Sequence, residues 1–129
     1  EGWEYTGGRG MTYKSGHGTY NHAWSGGGLI ILSQYIAGIA PIEPKFRVFS
    51  VEPNLATLNF VECVVPTEFG NIEMRAEKSG NVLTIDIVVP ESTQAEVRIP
   101  KGYSTLYFGE TASTTTARLS AGKHRVVVK

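Results

Sequence analysis

The chain has 129 residues, 41% of them hydrophobic and 19% charged, with twelve basic and twelve acidic side chains and zero formal net charge. That composition describes a globular chain able to bury a core, and it argues against disorder and against a nucleic-acid or anionic-membrane partner. A single cysteine excludes an internal disulfide and a multi-cysteine zinc site, and no apolar run approaches the ~18 residues of a membrane span.

The opening Glu1-Gly2-Trp3 carries no Met, no leader and no helix-capping signal. It fits a processed end or a cut made inside a larger protein. Glu1 to Tyr20 holds six glycines together with Trp3, Tyr5, Tyr13 and Tyr20, and shows neither helical nor strand periodicity. We read it as a long loop, of the kind that is usually functional. Asn21-His22-Ala23-Trp24-Ser25-Gly26-Gly27 closes that loop, where glycines let a ligand approach the backbone.

A helix is expected from Ala23 or Trp24 to Gly38, with Gly38 as the residue that ends it and Pro41 shortly after. Leu29, Ile30, Ile31, Leu32, Tyr35, Ile36 and Ala37 encircle it almost completely and leave a narrow polar strip at Ser33 and Gln34. A helix apolar all round is a buried helix, so the pattern implies neighbours from elsewhere. Pro41 to Pro44 reads as an extended connector, and the domain boundary is placed after residue 44, giving 1–44 and 45–129.

The remainder reads as all-β. Candidate strands are Arg47–Val51, Leu58–Val65, Asn71–Lys78, Val82–Val89, Ala95–Ile99, Ser104–Phe108, Thr116–Leu119 and Arg125–Lys129. Between Val82 and Val89 the apolar set Leu83, Ile85, Ile87, Val89 alternates with a mostly polar one. Ser79-Gly80-Asn81 and Ser120-Ala121-Gly122-Lys123 read as hairpin turns, and Thr111 to Thr116 as loop. About eight short strands with no helix between them predict an antiparallel, jelly-roll-like β-sandwich.

Several side chains have a chemical reading beside a structural one. His22 is a ligand-binding or catalytic imidazole, or a ring satisfied by its own loop. Glu1 and Glu4, with Arg9, put carboxylates into an aromatic loop. Paired carboxylates about 5–9.5 Å apart are the usual apparatus of glycoside hydrolysis, whereas solvated loop charges are the plainer alternative. His17 and His22 lack further ligands for a metal, and the Gly7–Gly10 and Gly16–Gly18 stretches lack the context of a phosphate loop. Neither a metal nor a cofactor is expected. Ser15 and Ser25 lie in no nucleophile elbow. Cys63, among Val61, Val64 and Val65, reads as a buried inert thiol. Tyr103, Tyr107 and Phe108 read as a sugar platform or, in the commoner use of strand aromatics, as core and sheet-face residues.

Taken together, Asn21 to Gly27, the Leu/Ile helix, Gly38-Ile39 with Pro41 and Pro44, then Phe46, Val51 and Pro53, resemble the C-terminal end of bacterial α-L-rhamnosidases. Val65-Pro66-Thr67 with Gly70-Asn71-Ile72, Val88-Val89-Pro90 and Val97-Arg98-Ile99-Pro100 extend the likeness over essentially the whole chain. Gly28 departs from it, since many members carry Pro there. The resemblance implies an inverting glycoside hydrolase with an (α/α)6-barrel catalytic domain and a C-terminal antiparallel β-sandwich. The loop and helix of 1–44 would then be the last of the barrel. The resemblance further implies that Glu1, in Glu-X-Trp, is the general base. His22, in Asn-His, would hold the rhamnose or position the attacking water, with Trp3, Asn21 and Trp24 as substrate-binding and wall residues. It places the general acid on an earlier barrel loop, so the 129 residues alone are expected to be a C-terminal fragment without appreciable activity. The implied partners are a rhamnose-containing glycoside or polysaccharide and the rest of the barrel. A periplasmic or extracellular setting is favoured over a cytoplasmic one, although the sequence itself does not specify the compartment. The competing readings are a non-catalytic carbohydrate-binding sandwich and a structural domain that self-associates through Leu29, Ile30, Ile31 and Ile36.

Overall fold

A computed structural model describes residues 27–129. Leu32–Lys129 forms a compact unit by itself. The described part of the helix comprises α1, Gly27–Ile30, and a π-helical continuation over Ile31–Ile36. The wider coil is visible where the Ala37 N–H donates to the Leu32 carbonyl, five residues back, at 2.9 Å. Gly38 ends the helix as expected, at φ +73. Leu32 and Tyr35 are 58% and 67% exposed, so an apolar surface lines this segment.

Ten strands follow. β1 (Ile39–Pro41), β2 (Val48–Val51), β6 (Gln94–Arg98) and β9 (Thr116–Leu119) make a four-stranded sheet in the order β1-β2-β6-β9. β3 (Phe60–Thr67), β4 (Gly70–Ser79), β5 (Val82–Val89), β7 (Leu106–Phe108), β8 (Thr111–Ser113) and β10 (Gly122–Val128) make a six-stranded sheet in the order β3-β4-β5-β10-β7-β8. Their inner faces share one core. Ile39, Phe49, Val51, Ala95, Val97 and Leu119 come from the smaller sheet, and Ile72, Ala76, Leu83, Ile85, Ile87, Leu106, Val126 and Val128 from the larger. This is the expected β-sandwich. Burial alternates residue by residue along β5, because successive side chains point to opposite faces.

Local chemistry explains the long hairpins. β4 and β5 pair through Ser79 and Val82, with Gly80 at φ +58 as the first loop residue, the arrangement that matches strand twist. At the β3–β4 turn the Thr67 hydroxyl donates to the Gly70 carbonyl at 2.7 Å and accepts the Phe69 N–H at 3.1 Å.

The structure departs from the sequence reading in four places. Ile39–Pro41, absent from the candidate strands and with Pro41 read as the start of the connector, is an edge strand whose Ile39 is fully buried. Pro41 ends it, consistent with proline's confinement to edges. Thr111–Ser113, read as loop, pairs with β7. β2 and β6 run parallel, so the sandwich is antiparallel except at this pair. Ser120–Lys123 is not a hairpin turn. β9 and β10 lie in different sheets, and the segment carries the chain between them. Its bend is held by the His124 Nε2–H, which donates to the Ser120 carbonyl at 2.7 Å.

Candidate functional site

The residues singled out for catalysis and sugar binding, Glu1, Trp3, Asn21, His22 and Trp24, lie outside the described residues, as do Glu4, Arg9 and His17. What the structure does describe is the sandwich, and its surface can be read in the same way.

Cys63 sits on the inner side of β3, partly buried and packed against the core. Burial pushes its thiol above the ordinary value, which lowers the thiolate fraction and suits the inert reading. Tyr103 and Phe108 pack against the core as well. The Phe108 ring meets the His124 ring edge-on at 5.4 Å. Tyr107 faces outward with the Lys129 ammonium 5.1 Å above its ring. Facing opposite ways from one strand, Tyr107 and Phe108 do not form the joint platform considered from the sequence.

A shallow groove of about 650 Å³ runs over the outer face of the six-stranded sheet. Three consecutive residues from each of four strands line it: 62–64 of β3, 73–75 of β4, 86–88 of β5 and 123–125 of β10. The middle residues Cys63, Met74, Ile87 and His124 are in register and turned inward, so their backbone is the floor. One wall is the registered row Glu62, Arg75, Asp86, Arg125. The other is the row Val64, Glu73, Val88, Lys123.

Alternating charge knits the first wall together. Arg125 binds Asp86 in bidentate fashion, Nε to Oδ1 at 2.6 Å and Nη2 to Oδ2 at 3.0 Å. Arg75 donates to Glu62 and, through Nη2, to Glu77 at 3.0 Å, while its guanidinium lies 4.6 Å from the centroid of the Phe60 ring. The hydrogen bonds from Arg125 hold the Asp86 carboxyl below its usual range, and both guanidiniums are raised by their carboxylate partners. On the second wall, Glu73 and Lys123 make no side-chain hydrogen bond or ion pair among the described residues, and Val64 is 60% exposed. The sequence marked β5 as polar on one face, but which polar residues meet across strands depends on the register. Among the described residues no group of three or more His, Cys, Asp or Glu could hold a metal ion, and no helix is long and apolar enough to cross a membrane.

The fold and the sequence converge on known proteins. The profile of the bacterial alpha-L-rhamnosidase C-terminal domain matches residues 38–112. Over 95 residues the chain is 27% identical to an alpha-L-rhamnosidase of Formosa agariphila, covering 73% of this chain and 10% of that protein. Among solved structures, the alpha-L-rhamnosidase of Streptomyces avermitilis, complexed with L-rhamnose, superposes with a TM-score of 0.71 at 22% identity, over 86% of this chain and 12% of that one. The alpha-L-rhamnosidase of Dictyoglumus thermophilum gives a TM-score of 0.66 at 20% identity, over 75% and 13% respectively. The enzyme of Aspergillus terreus gives 0.62 at 22% identity, over 77% and 10%. This β-sandwich therefore belongs to the family of bacterial alpha-L-rhamnosidase C-terminal domains, as the sequence resemblance implied. The chain spans about a tenth of the length of the Formosa relative.

Proposed function

We propose that this chain is the C-terminal part of an inverting glycoside hydrolase that removes terminal α-L-rhamnose from glycosides or polysaccharides. The observation that carries the reading is the family match over residues 38–112, which begins at the glycine where the apolar helix ends. Leu32, Tyr35 and Ile42 expose apolar surface on and just beyond that helix. A surface of this kind suits a segment that packs into a helical barrel.

In this proposal the sandwich anchors the last loop and helix of the catalytic barrel. Glu1 acts as the general base that activates water for attack on the anomeric carbon. His22 holds the sugar or orients that water, with Trp3, Asn21 and Trp24 around it. An inverting reaction needs a protonated carboxylic acid on the other side of the glycosidic bond, with room for one water beside the base. The resemblance places that acid on another barrel loop, so the 129-residue chain alone is expected not to turn over substrate. A periplasmic or extracellular location accords with a polysaccharide substrate.

The test measures hydrolysis of an aryl α-L-rhamnoside by the chain alone and by the full-length enzyme. Activity is expected only in the latter. There, Glu1→Gln should lower kcat by about 10²–10⁴-fold, and NMR of the first product should show the inverted anomer. Comparable turnover by the isolated chain would overturn the division of the site, and a retained anomer would overturn the mechanism.

A further inference from the structure

We infer that the outer groove of the six-stranded sheet is a binding site for a short neutral oligosaccharide. Three features carry this.

The first is the arrangement of the second wall. Glu73 and Lys123 both stand in register with Val88, one on each side of it. Two interstrand spacings separate them, about 10 Å. An acceptor and a donor with no partner among the described residues thus flank an apolar side chain. A pyranose ring lying on Val88 presents its C–H face to the valine and its hydroxyls to both ends. Val64 repeats the apolar contact one strand beyond Glu73, where a second ring would lie.

The second feature is charge balance. Glu62, Glu73 and Asp86 oppose Arg75, Lys123 and Arg125 around the groove, three carboxylates against three cations. No excess of either sign is available to attract a polyanion or a cation. A hydroxyl, which both donates and accepts, uses such a surface fully.

The third is preorganisation. Asp86 engages two of the N–H groups of Arg125 and fixes the guanidinium plane, while the other donors of its five are not used by Asp86. The four strands across which the groove runs give it a length of about 14 Å, enough for a short run of sugar rings and too shallow to enclose one.

The inference is independent of the catalytic assignment, because it is read from binding and not turnover. The ¹⁵N-labelled chain is titrated with neutral probes, a rhamno-oligosaccharide and a gluco-oligosaccharide, and with oligogalacturonate as an anionic counter-probe. Saturable amide shifts are expected at residues 62–64, 73–75, 86–88 and 123–125 with at least one neutral probe. Val64→Arg and Val88→Arg, which fill the groove from outward positions, should each weaken binding about tenfold or more with the far-UV CD spectrum unchanged. Glu73→Gln and Lys123→Ala add no bulk and should weaken it too, which keeps the test valid if an Arg variant misfolds. The inference fails if no neutral probe shifts these residues, if the shifts map elsewhere, or if the Glu73 and Lys123 variants bind as before. It also fails if oligogalacturonate binds as tightly, or if the same residues shift with protein concentration alone, which would mean that a second copy covers the groove.

Discussion

The two sheets of the sandwich solve the same burial problem by different means. The six-stranded sheet relies on long strands joined by tight hairpins, β3 to β4 to β5, so its neighbours in space are largely neighbours in sequence. The four-stranded sheet is assembled from short strands of which only β1 and β2 are near in the chain, with β2 against the distant β6 in parallel and β1 at its edge. The larger sheet draws on local turn chemistry. The smaller one depends on pairings between distant strands and on the close approach of Gly38 to Glu52 beside β1 and β2. Damage should therefore be concentrated in the smaller sheet, whereas the outer face of the larger one should tolerate change.

The sharpest test is Gly38. A Cβ there would lie 2.1 Å from the Glu52 carbonyl oxygen and 2.7 Å from the Pro53 nitrogen, and the residue is held at φ +73. The Glu52 N–H also donates to the Gly38 carbonyl at 3.0 Å, so neither backbone can withdraw freely. Gly38→Ala is expected to cost more than about 4 kcal/mol or to prevent folding, read by urea denaturation and by solubility. A loss within about 1 kcal/mol, the strain of φ alone, would show that β1 is not locked in this way.

Core truncation comes next. Phe49→Ala in the smaller sheet and Ile85→Ala in the larger both empty fully buried positions. Costs of about 3–5 and 2–5 kcal/mol respectively are expected from equilibrium unfolding. The comparison is refined by relaxation: the hairpin-supported site should collapse around Ile85→Ala and keep its fold, while Phe49→Ala should also loosen β1 and β6, seen as faster amide exchange in those strands.

A gain is expected in the β1–β2 connection. Lys45 and Phe46 are both non-glycine residues at positive φ, 64 and 63. Lys45→Gly should relieve strain and raise stability by about 0.5–1 kcal/mol, offset only slightly by loss of the exposed ion pair to Glu68. A fall in Tm would show that this pair, and not strain, dominates the turn.

The smallest effect is expected on the outer face. The folded-state pKa of Asp86 is depressed by Arg125, so the carboxylate stabilises the fold above its unfolded value of about 3.9. That contribution is lost as pH falls through the depressed folded value. Asp86→Asn should thus be slightly less stable than the parent near pH 6, and the two should converge toward pH 2. A gap that widens on acidification would contradict the assigned partner.

The alternation of Leu83, Ile85, Ile87 and Val89, the turn glycine Gly80 and the helix-ending Gly38 are local signals, and each reports a backbone preference that neighbours in space did not need to supply. They determined the fold class, most strands and the helix end. The likeness of residues 20–53 to bacterial α-L-rhamnosidases, carried by motifs and not by periodicity, likewise determined the family. Tertiary structure alone decided the short strands β1 and β8, the parallel β2–β6 pair and the crossing at Ser120–Lys123. Three-residue strands carry too few alternations to announce themselves, and a Gly-containing turn has the same local chemistry whether the next strand pairs beside it or crosses to the other sheet. The groove belongs to the same class. Glu62, Arg75, Asp86 and Arg125 are scattered over more than sixty residues and become one row only through strand register, a long-range property that no segment of the sequence encodes by itself.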